Sequence, residues 1–473
     1  MDEDSDVNGA ARPALDEQGC RQIHEAALAL LEKVGCAVLD AEALALLKAN
    51  GARVDGVCAR FGEALVEQAR DTAPAHYTVA GRRPEFDLHV GLGEPAVLAS
   101  ASGPPFVLSD GDYRPGTLAD LRTAVALAHL SPNIDVLGYS VEPGDVPEER
   151  RPRLVAHLHA TSSDKNCRYT VTSLAELHVA TDVLEILYGA DWHTRPRLWS
   201  VINTTSPLQL SEEGAQVLLR LARLGQPVLV AVCAMGGTTA PLTPAGLLAV
   251  QHAELLTGLV LTQLAREGTP FLYGGTSSLS SMQSGALMIG APVYWQLMEA
   301  TVRLGHWLGL PVRAGGCVTD AHLPDAQAGV ESALAMDTVL RAGAQYVLHA
   351  AGILSSFNCF CPEKFVIDDE VLTGLRLARR PIQVDAETLA LDVVAAAGPG
   401  GSVLGHAHTR RHARDAPLRT IMNRAPYETW KGLGGHDLAT VGAARVAELL
   451  EQYEPPDDLD PVTRRRLDAY CLD

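Results

Sequence analysis

The stretch "GSVLGHAHTRRH" (401–412) brings His406, His408 and His412 close together, directly behind the glycine pair Gly400 and Gly401. A His-x-His spacing can hold zinc. The same residues can also open a solvated helix, or touch a ligand through a glycine-rich backbone. A second concentration of reactive types is "TDAHLPDAQAG", with His322, Asp325 and Gln327; Gln283 stands upstream in "SSMQSGA". These are candidates for positioning and proton handling, although Asp325 also suits a helix cap. A third set combines aromatic and cationic side chains: Tyr273, Tyr294, Trp295, Phe357, Phe360, Arg313 and His349. Aromatic faces hold a cation at ~0.5–2 kcal/mol each. Arg313 and His349 are candidate anchors for a carboxylate, with a structural Arg313–Asp320 ion pair as the competing role. Finally, His349, Cys359 and Cys361 offer a His-Cys-Cys set that could bind zinc with one position open.

These residues need elements to hold them. Residues 17–50 have apolar positions at helical spacing, broken near Gly35 and closed by Gly51. Short alternating segments follow ("HYTVAG", "FDLHVG", "PAVLAS"), then the hairpin or loop "GPPFVLSDGDYRPGT". From Thr117 onward, apolar strands alternate with amphipathic helices. The strands are "IDVLGYS", "CRYTVTS", "LWSVINT", "PVLVAVCAM", "PFLYGGTSS", "PVRAGGCVT" and "QYVLHAAG". Helices are expected over 174–187, 211–224, 244–267, 292–309, 325–342 and 363–379. Unbroken β-α alternation with apolar strands implies a parallel sheet, and seven strands favour a closed (β/α)8 barrel, with the eighth strand unplaced. The expected fold is therefore α/β: a TIM barrel over 117–430, an N-terminal α+β region over 1–116, and a C-terminal helical tail over 431–473. In such barrels the reactive groups follow the strands. The candidates above do so, in loops rich in Gly, Ser and Thr.

Composition narrows the classes. The formal net charge of −19 argues against nucleic acid and anionic membrane surfaces. The nine cysteines are dispersed and lie mostly in apolar runs, as expected of reduced thiols in a cytoplasmic protein. The acidic start "MDEDSDVNGAARP" has no apolar signal core. There is no dinucleotide fingerprint, Walker A sequence or nucleophile elbow; "GPGG" has the wrong spacing for the first.

Several longer stretches together resemble the trimethylamine methyltransferase superfamily, in its branch without pyrrolysine that includes glycine betaine methyltransferases. They are "IHEAALALLEKVG", "GPPFVLSDGDYRPGTLADLRTAVALAHLSPNID", "YGGTSSLSSMQSGALMIGAPVYWQLMEATVRLGHWLGLPV", "DAHLPDAQAGVESALAM" and "GPGGSVLGHAHTRRHARDAPLRTIMNRAPYETW". The last is similar to the family's glycine loop, H-x-H-T and D-R-x-x-Y-x-x-W. The resemblance implies a corrinoid-dependent methyltransferase. A quaternary amine would donate a methyl group to Co(I) of cobalamin carried by a partner corrinoid protein, with no tightly bound metal. It places the pyrrolysine position near His322. It puts Gly400, Gly401, His406 and His408 beside the corrinoid; for the reaction it implies, the strand-end and loop candidates are His322, Gln283 and Asp325 in catalysis, and Tyr273, Phe357, His349, Arg313 and Gln327 around the substrate. A homo-oligomer is expected. Departures are "IDDE" (Ile367–Glu370) where relatives have D-N-E, Asn423-Arg424 for D-R, and the run "SSFNCFCPEK". Two other readings stay open: a zinc-dependent thiol- or alcohol-activating enzyme, and a quaternary-amine-binding barrel without turnover.

Overall fold

The computed structural model describes residues 13–109, 111–415 and 420–472; the acidic residues 1–12 lie outside that range. Eight parallel strands form the centre: β1 (Val97–Leu98), β2 (Val136–Leu137), β3 (Asn166–Cys167), β4 (Ser200–Asn203), β5 (Val228–Val232), β6 (Phe271–Gly275), β7 (Val312–Gly315) and β8 (Tyr346–Leu348). Six run in the order β4-β5-β6-β7-β8-β1. β2 and β3 pair with each other, and the single bridges Ala99↔Val136 and Arg168↔Trp199 close the ring. Each strand feeds a helix: α1 (Leu118–Leu130), α2 (Arg151–Ser162), α3 (Leu174–Tyr188), α4 (Glu212–Arg223), α5 (Pro244–Ala265), α6 (Pro292–Trp307), α7 (Ala326–Ala342) and α8 (Pro362–Ala378). The fold is a (β/α)8 barrel.

The missing strand is β1, which pairs with β8 through Tyr346↔Val97 and Val347↔Leu98. It lies inside the stretch assigned above to the N-terminal region, so the barrel begins before Thr117. With two residues of strand between small Ala and Ser neighbours, it carries almost no periodic signal.

Strand alternation sorts the side chains. On β5, Val228, Val230 and Val232 face the helices, whereas Leu229 and Ala231 join Trp199, Leu272, Tyr346 and Leu348 inside the ring. The antiparallel hairpin His76–Val79/Leu88–Gly91 plugs one end, adding Val79 and Val90 to that interior cluster. Asn166 ties the plug in by donating a hydrogen bond to the Phe86 carbonyl (2.5 Å). The plug covers the start of the strands and leaves their C-terminal ends open.

The remaining elements brace the outside. The helix Glu17–Lys33, capped by Asp16, packs on α5. The strands Cys36–Val38, Arg53–Asp55 and Cys58–Arg60 form a small sheet with Gln209–Leu210. In the tail, Leu438–Gln452 packs on α8, and Pro461–Cys471 packs on α2 and α3. α5 is long and apolar enough to cross a membrane, but 89% of its apolar window is buried within the protein.

Candidate active site

The barrel interior above the plug is rich in donors and short of acceptors. Trp199 and Tyr346 stack there with ring centroids 4.9 Å apart, both buried. Arg168 stands beside Trp199 through the β3–β4 bridge, and Arg313 beside Tyr346 in register across β7–β8. Arg168 and Arg313 are 2% and 3% exposed, and among the described residues neither has a carboxylate partner. Arg168 donates to Ser102 Oγ and leaves Nε unpaired; Arg313 leaves Nε and one terminal nitrogen unpaired. Tyr294 OH, Tyr346 OH, Trp199 Nε1 and His349 Nδ1 are unpaired as well. Buried polar atoms normally find partners. A cluster this large lacking them on one sign of charge marks a place made for an anionic group.

Burial pushes both guanidinium pKa values down, and the Arg168 charge lowers that of Arg313 a little further. Burial first, then Arg313 and Arg168, hold the His349 pKa well below its ordinary value, so its imidazole is neutral at pH 7. His349 has φ +59°, and Ser355, Ser356 and Phe357 are also left-handed at +52°, +52° and +75°. This turn lays the Phe357 ring on His349 at 4.8 Å. Gly315 lets the site close over α6: a Cβ there would overlap the Tyr294 hydroxyl. Above this layer the strand ends present Thr170, Asn203 and Cys233, which are exposed and line an open mouth of small side chains.

The residues singled out from sequence distribute unevenly. Arg313 and His349 are in the interior, with Phe357 against His349. Arg313 does not pair with Asp320. That carboxylate instead accepts from the Ile289 and Gly290 amides and from Ser356 Oγ (2.6 Å), clamping the loops after β6, β7 and β8 together. Glu331 joins the clamp, accepting from Thr319 Oγ1 and the Asp320 amide. His322 lies on the exposed rim, with Nδ1 2.8 Å from Ser355 Oγ. Gln283 is exposed at a loop tip.

Several expectations need correction. Tyr273 points outward from β6, away from the interior, and its hydroxyl bonds His252 Nδ1 at 2.8 Å. Asp325 caps α7, accepting from the Gln327 and Ala328 amides. Gln327 is exposed on that helix and donates to Glu331. The "IDDE" carboxylates serve the scaffold: Asp368 bonds buried Lys364 and the Gly352 amide, Asp369 holds Ser131 and Asn133, and Glu370 holds Thr420.

Gly400, Gly401, His406 and His408 belong to an arm that leaves from the C-terminal end of α8, away from the mouth. Among the described residues, the hydrogen bonds of 383–413 close within that segment. His349, Cys359 and Cys361 are not gathered into a metal-binding group; the one such group among the described residues is Glu387, His408 and His412. Sequence reasoning missed Arg168, Trp199 and Tyr346. The signal was available in "CRYTVTS", where an arginine occupies an inward position of an otherwise uncharged strand. A cavity of about 850 Å³ is a groove outside the barrel between α7, α8 and the helix Leu438–Gln452, and the donor cluster is not part of it.

A (β/α)8 barrel plugged at the strand starts, open at their C-terminal ends and holding unpaired polar groups in its interior has the layout of a barrel enzyme. The family model "Trimethylamine methyltransferase (MTTB)" matches residues 7–472. The chain belongs to the trimethylamine methyltransferase family and is a methyltransferase. It is 34% identical to a glycine betaine methyltransferase of Desulfitobacterium hafniense over 96% of each chain. A proline betaine:corrinoid methyltransferase of Eubacterium limosum is 30% identical, covering 86% of this chain and 87% of that one. The trimethylamine methyltransferase MttB2 of Methanosarcina mazei is 28% identical over 96% of this chain and 94% of its own. Among solved structures, the monomethylamine methyltransferase of Methanosarcina barkeri superposes with a TM-score of 0.52 at 10% identity, covering 97% of this chain and 88% of that one, which supports the fold.

Proposed function

We propose that this chain takes a methyl group from a betaine, a quaternary amine bearing a carboxylate, and delivers it to Co(I) of cobalamin carried by a separate corrinoid protein. One observation carries the choice of a carboxylated donor: two buried guanidinium groups and four further unpaired polar atoms share the barrel interior, and among the described residues no acid meets them. Trimethylamine has nothing to offer these donors. Arg313 and Arg168 would hold the carboxylate, helped by the Tyr346 and Tyr294 hydroxyls. The Phe357 face and the neutral His349 would stand nearer the ammonium, where a charged imidazole would repel it.

The corrinoid is the methyl acceptor and supplies the nucleophilic electron pair. The C–N bond breaks with its electrons staying on nitrogen, so the tertiary amine leaves neutral and needs no proton. That fits an interior in which, among the described residues, no carboxyl meets the donor cluster. The chain's own work is to fix the carboxylate, aim one methyl group out of the open mouth and strip water from the cation. The family kinship supports a corrinoid protein as partner, and the small side chains at the mouth leave room for the corrinoid face.

The test offers reduced cobalamin and the purified chain one donor at a time. Glycine betaine or proline betaine should discharge the Co(I) absorption and yield methylcobalamin. Choline and trimethylamine lack the carboxylate. Leaving a buried, hydrogen-bonded charge unpartnered costs about 2–5 kcal/mol, so they should be slower by at least ~30-fold. Equal rates for choline would overturn the carboxylate assignment. Betaine binding without turnover would favour the binding-only reading.

A further inference from the structure

The arm after α8 is a piece of chain with almost no core. Among the described residues of 381–413, Val393 alone is buried. Ile382 is 90% exposed and Leu404 79%. Segments this small need a staple such as a disulfide, a metal or a partner. No disulfide is available, since the arm contains no cysteine. What joins its two halves is a cluster of polar side chains. Glu387, on the short helix Ala386–Leu389, faces His408 and His412, which stand one turn apart on the helix Ala407–Asp415.

We infer that Glu387, His408 and His412 form a zinc site that holds the arm together. A carboxylate oxygen of Glu387 and one ring nitrogen from each histidine lie within 4.8 Å of one another. The two imidazoles stand 4.2 Å apart between centroids, and His412 Nε2 is 3.4 Å from Glu387 Oε1. Ligands at about 2.0–2.1 Å from zinc stand roughly 3.4 Å apart in a tetrahedron, so small rotations of surface side chains complete the set. The i,i+4 histidine pair with a carboxylate from another element is a donor set zinc favours, and it leaves a fourth position for water. Arg411 donates to Glu387 Oε1 at 2.6 Å, so Oε2 has no partner among the described residues and remains available. An outer hydrogen bond of this kind orients a ligating carboxylate. His408 Nε2 bonds the Glu387 carbonyl at 3.0 Å, which keeps that ring against the short helix.

The site stands apart from the methyl-transfer reading, and its test needs no turnover. Untagged full-length protein is stripped with a chelator and titrated with Zn²⁺ against a chromophoric competitor. One zinc per chain should bind, and Glu387→Ala or His412→Ala should weaken binding by at least 100-fold. The double variant Cys359→Ser/Cys361→Ser should bind as the parent does, which separates this site from thiol binding. Zinc should also slow proteolysis within 381–415 in the parent but not in His412→Ala. Stoichiometry and protection unchanged in Glu387→Ala and His412→Ala, or absence of tight binding in the parent, would overturn the assignment.

Discussion

Arg168 and Arg313 are the residues on which the substrate reading turns, and their isolation gives them a double signature. A buried charge without a partner destabilises the fold, while the same charge facing a carboxylate ligand supplies affinity. Arg313→Met should therefore raise the denaturation midpoint of the ligand-free chain, by roughly 1–4 kcal/mol in stability, and lower kcat/KM for a betaine by at least ~30-fold. Arg313→Lys keeps the charge but loses the planar fork, and should recover only part of the activity. Denaturant titration and Co(I) methylation measure the two halves independently. A loss of both stability and activity would make Arg313 a structural residue and remove the main support for a carboxylated donor. Arg313 was legible in the sequence because an arginine within "PVRAGG" breaks an apolar strand. Arg168 follows the same logic but was hidden by its short strand, and the Trp199–Tyr346 stack was hidden because aromatic residues on strands read equally well as core.

At the scale of elements, the strong periodicities were the reliable ones. All six helices expected from Leu174 onward form within a few residues of their anticipated ends, because amphipathic spacing and capping residues act locally. Strand direction was less legible: Tyr273 sits on a correctly anticipated strand, yet only the ring's closure decides that it faces α5 and not the mouth. Asp325 illustrates the same division. Its loop position suggested chemistry, but its carboxylate accepts from two amides at the start of α7. Asp325→Ala should cost about 1 kcal/mol of stability, as loss of a helix cap does, with Asp325→Ser recovering most of it and kcat changing less than ~3-fold in either. A fall in kcat of ~100-fold or more for both variants, with stability intact, would return Asp325 to the catalytic machinery. The loop clamp through Asp320 had no local signature, since its partners come from the loops after β6 and β8 and meet only when the barrel closes.

Across the whole molecule, the choice of buried titratable groups sets how stability responds to acid. Burial pushes the pKa of His159 down to about 4 and that of His252 to about 3, the latter helped by His24, while His349 is lowered well below its usual value. His252 cannot easily take a proton, because its two nitrogens are occupied by the Tyr273 hydroxyl at 2.8 Å and by His24 Nδ1 at 2.9 Å. In the unfolded chain all three imidazoles titrate near ~6.5. Below that pH the unfolded state binds protons that the folded state refuses. Their contribution is therefore present above ~6.5 and lost as pH falls, at up to about 1.4 kcal/mol per pH unit for each histidine. Asp368 works the other way. Burial outweighs the attraction of Lys364 and raises its pKa to about 6, so its contribution is present below ~4 and lost as pH rises through about 6. Three imidazoles outweigh one carboxyl, and the chain should lose stability on going from pH 7 to pH 5. Denaturant titrations at the two values measure the loss, at low protein concentration because the pI is about 5.3. His252→Gln, which is neutral at both, should shrink the difference between them by about 1–2 kcal/mol even if it lowers stability at pH 7. An undiminished difference in that variant would show that His252 takes a proton in the folded chain, and that the chain from Tyr273 to His24 rearranges to admit it.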